Sequence, residues 1–211
     1  RDPEMSRGLG DVYKRQVNPV RKFCTAFNNA CDADGLLSVL RYGFKHRGRR
    51  FRVCYFQPES ALNQKDAQRY AQNEITCNRQ WFYSDTTHNS VDMVLAVNGI
   101  PVFAFELKNQ FTGQTVENAK QQWMHDRDPR EVCFQFNKRI LGYFCVDLTE
   151  VWMATRLAGK DTRFLPFNQG SNGAGRDGGA GNPPNPNGYL TAYLWEEVFQ
   201  KDSMMDLSLI H

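Results

Sequence analysis

Residues 90–108, SVDMVLAVNGIPVFAFELK, constrain what this chain can fold into more than any other stretch. Two runs of apolar, β-branched and aromatic residues meet at Asn98-Gly99, a pair suited to a tight turn whose central positions need positive φ. The stretch reads as a β-hairpin of the core, so its charged residues Asp92, Glu106 and Lys108 need a physical reason to be there. Side chains on a strand alternate faces, which sets Glu106 and Lys108 on one side with Val102 and Ala104, and Phe103, Phe105 and Leu107 on the other. The face taken by Asp92 depends on the turn. A plain two-residue turn pairs Val97 with Ile100 and sets Asp92 opposite Phe105, whereas a three-residue connection or one bulge sets it opposite Glu106. We expect the second register. It gathers Met93, Leu95 and Val97 with the bulky residues of the other strand and leaves small Val94, Ala96, Val102 and Ala104 beside the charges.

Two carboxylates and an ammonium on one partly buried patch are costly as bare charges, because like charges repel and desolvation penalises each of them. A divalent cation relieves most of that cost. Hard oxygen ligands suit Mg²⁺, which takes one or two carboxylates, several waters and phosphate oxygens. In such a site Asp92 and Glu106 hold the ion, while Lys108 orients an attacking water or neutralises charge developing on a phosphoryl group. The same residues also suit a structural ion pair, or the wet face of a half-exposed hairpin, and spacing alone does not separate these readings.

At 211 residues with 41% hydrophobic content the chain can bury one full core, and a single α/β domain is expected. No apolar run approaches the ~18 residues of a membrane span, and no N-terminal apolar segment precedes a small-residue cleavage site, so a soluble, intracellular protein is expected. Net charge is only +3, so a phosphate-binding surface has to come from local clustering. The densest cluster is 41–52, RYGFKHRGRRFR, with Gly48 at a turn and a strand expected over 51–56. Arg41, Lys45, Arg47, Arg49 and Arg50 there are candidate DNA-phosphate contacts, as is Arg79 ahead of Trp81, Phe82 and Tyr83. A solvated hairpin explains the basic run equally well, and aromatics such as Trp81, Phe82 and Tyr83 are more often core. The six cysteines form no C-x-x-C pair, and neither they nor the four histidines have zinc-ligand spacing, as expected of reduced core thiols.

Along the chain, 1–16 shows no helical or strand period and is read with 207–211 as a non-native tail around a single domain at 17–206, so that the native protein continues past both ends. Residues 17–27 fit a short helix or a strand. A helix is expected over 34–42, capped by Asp32 or Asp34 and ended by Gly43. A loop and short helix at 61–71 and a strand at 73–83 lead to the central hairpin. A helix over 115–126 follows, with Thr115 as N-cap and Asn118 three residues on. Strands at 141–146 and 151–155 pair across a turn, and 164–167 ends the sheet. Residues 168–188 are nearly all Gly, Asn and Pro and form a loop without the G-K-[ST] ending of a phosphate cradle; an amphipathic helix closes the chain over 190–199. Together these elements predict a mixed central sheet of four or five strands flanked by helices.

The D…ExK set on a strand-turn-strand unit resembles the PD-(D/E)xK nuclease superfamily. Six blocks in order, VLRYGFKHRG, YFQPESALN, VNGIPVFAFELKNQFTGQTVENA, QWMHDRDP, FLPFNQG with GAGNP, and YLTAYLWEEV, resemble the N-terminal nuclease domain of the restriction (R) subunit of type I restriction enzymes, over about 35–206. The resemblance implies a restriction-endonuclease-like fold and a type I site-specific deoxyribonuclease that hydrolyses DNA phosphodiesters with Mg²⁺. Asp92 and Glu106 would be the ligands, joined by the Leu107 carbonyl, and Lys108 the charge that handles the water. It also implies a supporting glutamine in a Q-x-x-x-Y pattern on the helix after the ELK strand. Gln122 matches that glutamine, although Asp126 stands at the tyrosine position and Trp123 where relatives often place a tyrosine. Many superfamily members carry a further acid upstream of the hairpin, for which Glu74 is the candidate. The implied partners are DNA and the modification and specificity subunits, with no membrane; ATP would serve only motor domains outside this chain, and the setting would be the prokaryotic cytoplasm. A stand-alone repair or junction nuclease of the same superfamily, and a catalytically silent DNA-binding or docking module, remain as alternatives.

Overall fold

In a computed structural model that describes residues 4–60, 62–84 and 87–207, the chain begins with helices α1 (Glu4–Asp34) and α2 (Leu36–Tyr42). A short hairpin follows, of β1 (Phe44–His46) and β2 (Arg49–Phe51), then α3 (Gln64–Ala71). The central strands are β3 (Ile75–Phe82), β4 (Ser90–Val97) and β5 (Ile100–Leu107), followed by α4 (Val116–His125), β6 (Gly142–Val146), β7 (Val151–Ala154) and β8 (Leu165–Pro166). A π-helical turn (Leu194–Val198) and α5 (Lys201–Leu207) end the described chain. Strands β3 to β8 form one six-stranded sheet in sequence order. Only β5 and β6 run parallel, because α4 lies in the crossover between them; every other pair is antiparallel. The sixth strand is the two-residue β8, at a place where the sequence reads as the end of the sheet. Proline is acceptable at such an edge, since no neighbour needs its missing donor.

The hairpin combines both of the turn geometries considered for it. Asn98 (φ 50) and Gly99 (φ 80) form the two-residue turn that pairs Val97 with Ile100, and a bulge beyond Ala96 then restores the expected register, with Leu95 opposite Phe103 and Met93 opposite Phe105. The bulge has one consequence the alternation rule misses. Val102 and Phe103, adjacent in sequence, are buried in the same cluster, so Val102 does not stand beside the charges.

Each face of the sheet carries its own core. Met93, Leu95, Phe103, Phe105 and Phe144 face α1, α2, the β1–β2 hairpin and α5, through residues such as Cys31, Leu36, Phe44 and Met204. Val94, Ala104, Tyr143 and Cys145 face α4, through Val116, Ala119 and Trp123. The period of α4 is read directly in these three residues, at i, i+3 and i+7.

Several local expectations are corrected. Residues 4–16, which show no period in the sequence, continue the long helix α1, and 17–27 is helical; the tail readings at 1–3 and 208–211 lie outside the described residues. Gly35 (φ 82), not Asp32 or Asp34, precedes α2, because both aspartates are already in α1, where Asp32 pairs with Lys138 at 3.6 Å. Gly43 ends α2 as expected; a side chain there would collide with the Phe51 carbonyl, so the hairpin can close only on glycine. Strand β2 stops at Phe51 instead of running to 56. The helix expected over 190–199 is a π-helical turn, with α5 beyond it. The Gly/Asn/Pro loop has no regular structure, yet its base is fixed: Asn168 Oδ1 accepts from Val151 N–H (2.8 Å) and Asn182 Nδ2 donates to the Thr149 carbonyl (2.9 Å). Among the described residues all six cysteines are free, and no helix is long and apolar enough to cross a membrane.

Candidate active site

Asp92, Glu106 and Lys108 meet where β4 begins and β5 ends. The ladder that sets Met93 opposite Phe105 brings Asp92 opposite Glu106, and Asp92 Oδ2 accepts the Leu107 N–H at 2.8 Å. The Lys108 ammonium lies 3.8 Å from Asp92 Oδ2 and 4.0 Å from Glu106 Oε2. The sheet-facing residues of α4 fix the remaining wall. Thr115 and Asn118 form a reciprocal capping box, the amide taking the role more often filled by Glu or Gln. The first helical N–H, of Val116, donates to Asp147 Oδ2 (3.1 Å), and Trp123 Nε1 donates to the Phe144 carbonyl (3.2 Å). With the helix held at both ends, Gln122 Oε1 accepts from Lys108 Nζ at 2.5 Å.

Burial differs sharply within the set. The Asp92 side chain is 38% exposed and Lys108 10%, whereas Glu106 is sealed at 0%. Glu106 Oε1 accepts two bonds from Arg127, from Nε at 3.0 Å and Nη2 at 2.7 Å. Glu106 Oε2 has no hydrogen-bond partner, and it is the one buried side-chain oxygen or nitrogen so left among the described residues. Burial pushes the Glu106 carboxyl up to about 8; Arg127 pulls it down, and Asp92 adds to the rise.

An orphaned carboxylate oxygen beside a second carboxylate is what a hard cation would satisfy, so the residues present fit Mg²⁺. Among the described residues no group of three or more His, Cys, Asp or Glu side chains converges. Two carboxylates suit an ion that completes its shell with water and phosphate oxygens better than one caged wholly by protein. Beside Lys108 runs a groove of about 280 Å³, lined by Gln114, Asn118, Gln121, Gln122, His125 and Asp126. Its wall carries four amides, one imidazole and the Asp126 carboxylate, with the Lys108 ammonium at one side. A larger cavity of about 510 Å³, with Leu37, Phe136 and Phe167 in its lining, has no ionisable lining residue and belongs to the α2 side of the sheet.

Other candidate residues lie elsewhere. Glu74 sits beside the hairpin turn, its N–H bonded to Asn98 Oδ1, at the end of the sheet remote from Asp92, because β3 and β4 run antiparallel. Arg41, Lys45, Arg47, Arg49 and Arg50 belong to α2 and the β1–β2 hairpin, which pack through Leu40 and Phe44 on the opposite face from α4. Arg79 stands opposite Met93 and so shares the face of Met93, not that of Asp92. Trp81 and Tyr83 pack into the α4-side core, and Phe82 is exposed. Arg127, by contrast, is central to the site and is not singled out by sequence reasoning. Its only signal is its place in QWMHDRDP, one residue past the C-cap Asp126, where a charged residue ordinarily reads as solvated.

The sequence model of one family, described as Type I restriction enzyme R protein N terminus, matches residues 35–170, more than half of the chain and all of the site. No curated protein and no solved structure matches.

Proposed function

Since the chain belongs to the family of type I restriction enzyme R protein N termini, we propose that it is the endonuclease domain of such a subunit and hydrolyses DNA phosphodiester bonds with Mg²⁺. The observation that carries this reading is the buried, unpartnered Glu106 Oε2 beside Asp92 and Lys108. Asp92 and Glu106 would hold the ion, and the Leu107 carbonyl would be a third ligand. Bound there, the ion supplies a polarised phosphoryl oxygen and a water of lowered pKa. Lys108 would orient the attacking water and balance charge on the phosphoryl oxygens, and Gln122 keeps the ammonium aimed at the carboxylates instead of at solvent. The groove beside α4 receives the DNA backbone through its amides and Lys108, with Asp126 as the one acid in its wall. Sequence recognition and methylation belong to partner specificity and modification subunits, and ATP to motor domains elsewhere in the R subunit.

Nicking of supercoiled plasmid by the full chain, in Mg²⁺ and in EDTA, tests the reading. Wild type nicks only with Mg²⁺, and Asp92→Ala and Lys108→Ala each lower the rate by about 10² or more, the scale of losing one electrostatic stabiliser. Should the isolated chain bind DNA without cutting, the same variants are compared within the assembled restriction complex. Equal cutting by all three forms there would remove the enzyme reading.

A further inference from the structure

We propose that Arg127 is a positioning residue that restricts Glu106 to one metal-facing oxygen and thereby favours Mg²⁺ over Ca²⁺; this rests on the reading of Asp92 and Glu106 as the ion site. A guanidinium usually meets a carboxylate fork to fork, one N–H to each oxygen. Here Nε and Nη2 both donate to Oε1, which is left with no lone pair for an ion, while Oε2 stays unpartnered and faces the ammonium of Lys108. The guanidinium cannot follow a turning carboxylate. Nη2 also donates to the Ser90 carbonyl at 2.9 Å and Nη1 to the Asp126 carbonyl at 3.4 Å, and the group lies 5.9 Å from the centre of the Tyr83 ring. Arg127, only 7% exposed, therefore ties the start of β4 and the end of α4 to one oxygen of one carboxylate on β5.

The chemical consequence concerns ion choice. Ca²⁺ accepts carboxylates through one oxygen or through both in a loose shell, whereas Mg²⁺ requires a compact octahedron and takes them through one. By occupying Oε1, Arg127 withholds the two-oxygen mode and leaves the one that Mg²⁺ uses. Replacing a residue that only added positive charge or held the fold would change the affinity for both ions in the same direction and leave their ratio unchanged.

Calorimetric titration of the full chain with Mg²⁺ and with Ca²⁺, without DNA, reads this directly. The forms compared are wild type, Asp92→Ala, Arg127→Met and Arg127→Lys, each checked for native unfolding behaviour. Arg127→Met shifts the ratio of the two dissociation constants towards Ca²⁺ by about tenfold, the lower end of what outer-shell partners of metal ligands contribute. Arg127→Lys, which keeps the charge but can make only a point contact, shifts it in the same direction by less, and it carries the test alone if Arg127→Met does not fold. If wild type binds both ions, Asp92→Ala binds neither, and the ratio is unchanged in the Arg127 variants, the positioning role is wrong and the site stands. If wild type binds neither ion, or Asp92→Ala binds as well as wild type, the site reading fails and this proposal with it.

Discussion

At Glu106 the desolvation of a fully buried carboxylate outweighs the attraction of its single guanidinium partner, and the native carboxyl rises to about 8 from an ordinary 4.5. Between those values the native chain keeps a proton that the unfolded chain has lost. The metal-free protein therefore loses stability as pH rises through this window, by up to about 1.4 kcal/mol per pH unit from this one group. Glu106→Gln removes that component. Denaturant unfolding in chelator at pH 5, 6, 7 and 8 should show a steeper decline for wild type than for the variant, and identical slopes would contradict the buried-carboxyl account. The residue scale is also where the sequence is most reticent. Asp92, Glu106, Lys108 and Gln122 can be named from their spacing and from the family likeness. Arg127 cannot, because whether an arginine after a helix points to water or folds back under a strand depends on what stands opposite, here Glu106 and the Ser90 carbonyl.

Among the elements, the hairpin and α4 position the site, and each is held by a small number of polar contacts. The bulge between Leu95 and Ala96 and their partners is what brings Asp92 to the face of Glu106, and α4 is docked through Asp147 at the end of β6. Burial by itself would raise the Asp147 carboxyl, yet N–H groups of Thr149, Glu150 and Val116 and the Thr149 hydroxyl hold it below the ordinary carboxylate value. Its contribution is therefore complete above the unfolded-state value and is lost as pH falls through the lower native one. Asp147→Ala leaves three backbone donors without their acceptor and should lower stability by about 1–3 kcal/mol near neutral pH, with a smaller difference in acid. Urea unfolding at pH 7 and pH 3 measures both values; a difference that grew in acid would be inconsistent with these bonds. The hairpin, the capping box and the strands 142–146 and 151–154 are legible because turn chemistry, cap chemistry and period are local properties. The two-residue β8 is too short to carry a period, and 190–199, whose period reads as an ordinary amphipathic helix, takes a π-helical turn through what it packs against.

The whole molecule separates its charges by the sheet. The site, where Asp92 and Glu106 are matched by Lys108 and Arg127, faces α4, and the unbalanced basic hairpin rides on the α1–α2 layer behind it. Charges farther apart than a Debye length of about 8 Å interact weakly, so changing Arg47, Arg49 and Arg50 together to Gln should leave Mg²⁺-dependent nicking within about twofold of wild type. Gln121→Ala with Gln114→Ala, in the groove wall, should weaken DNA binding in the same assay buffer. The reverse pattern, with the arginine triple alone losing DNA, would place the nucleic-acid path on the other layer. From the sequence alone come the mixed α/β class, the central hairpin, the three charges that need a partner and the family to which the chain belongs, all carried by short-range pattern or by ordered blocks. Tertiary structure alone decides which face each charge takes, that the basic run stands behind the sheet, and that Arg127 claims one oxygen of Glu106. Those outcomes follow from a bulge, a crossover and the packing of distant segments, and burial is a property of the assembled layers, not of any residue in its own stretch of chain.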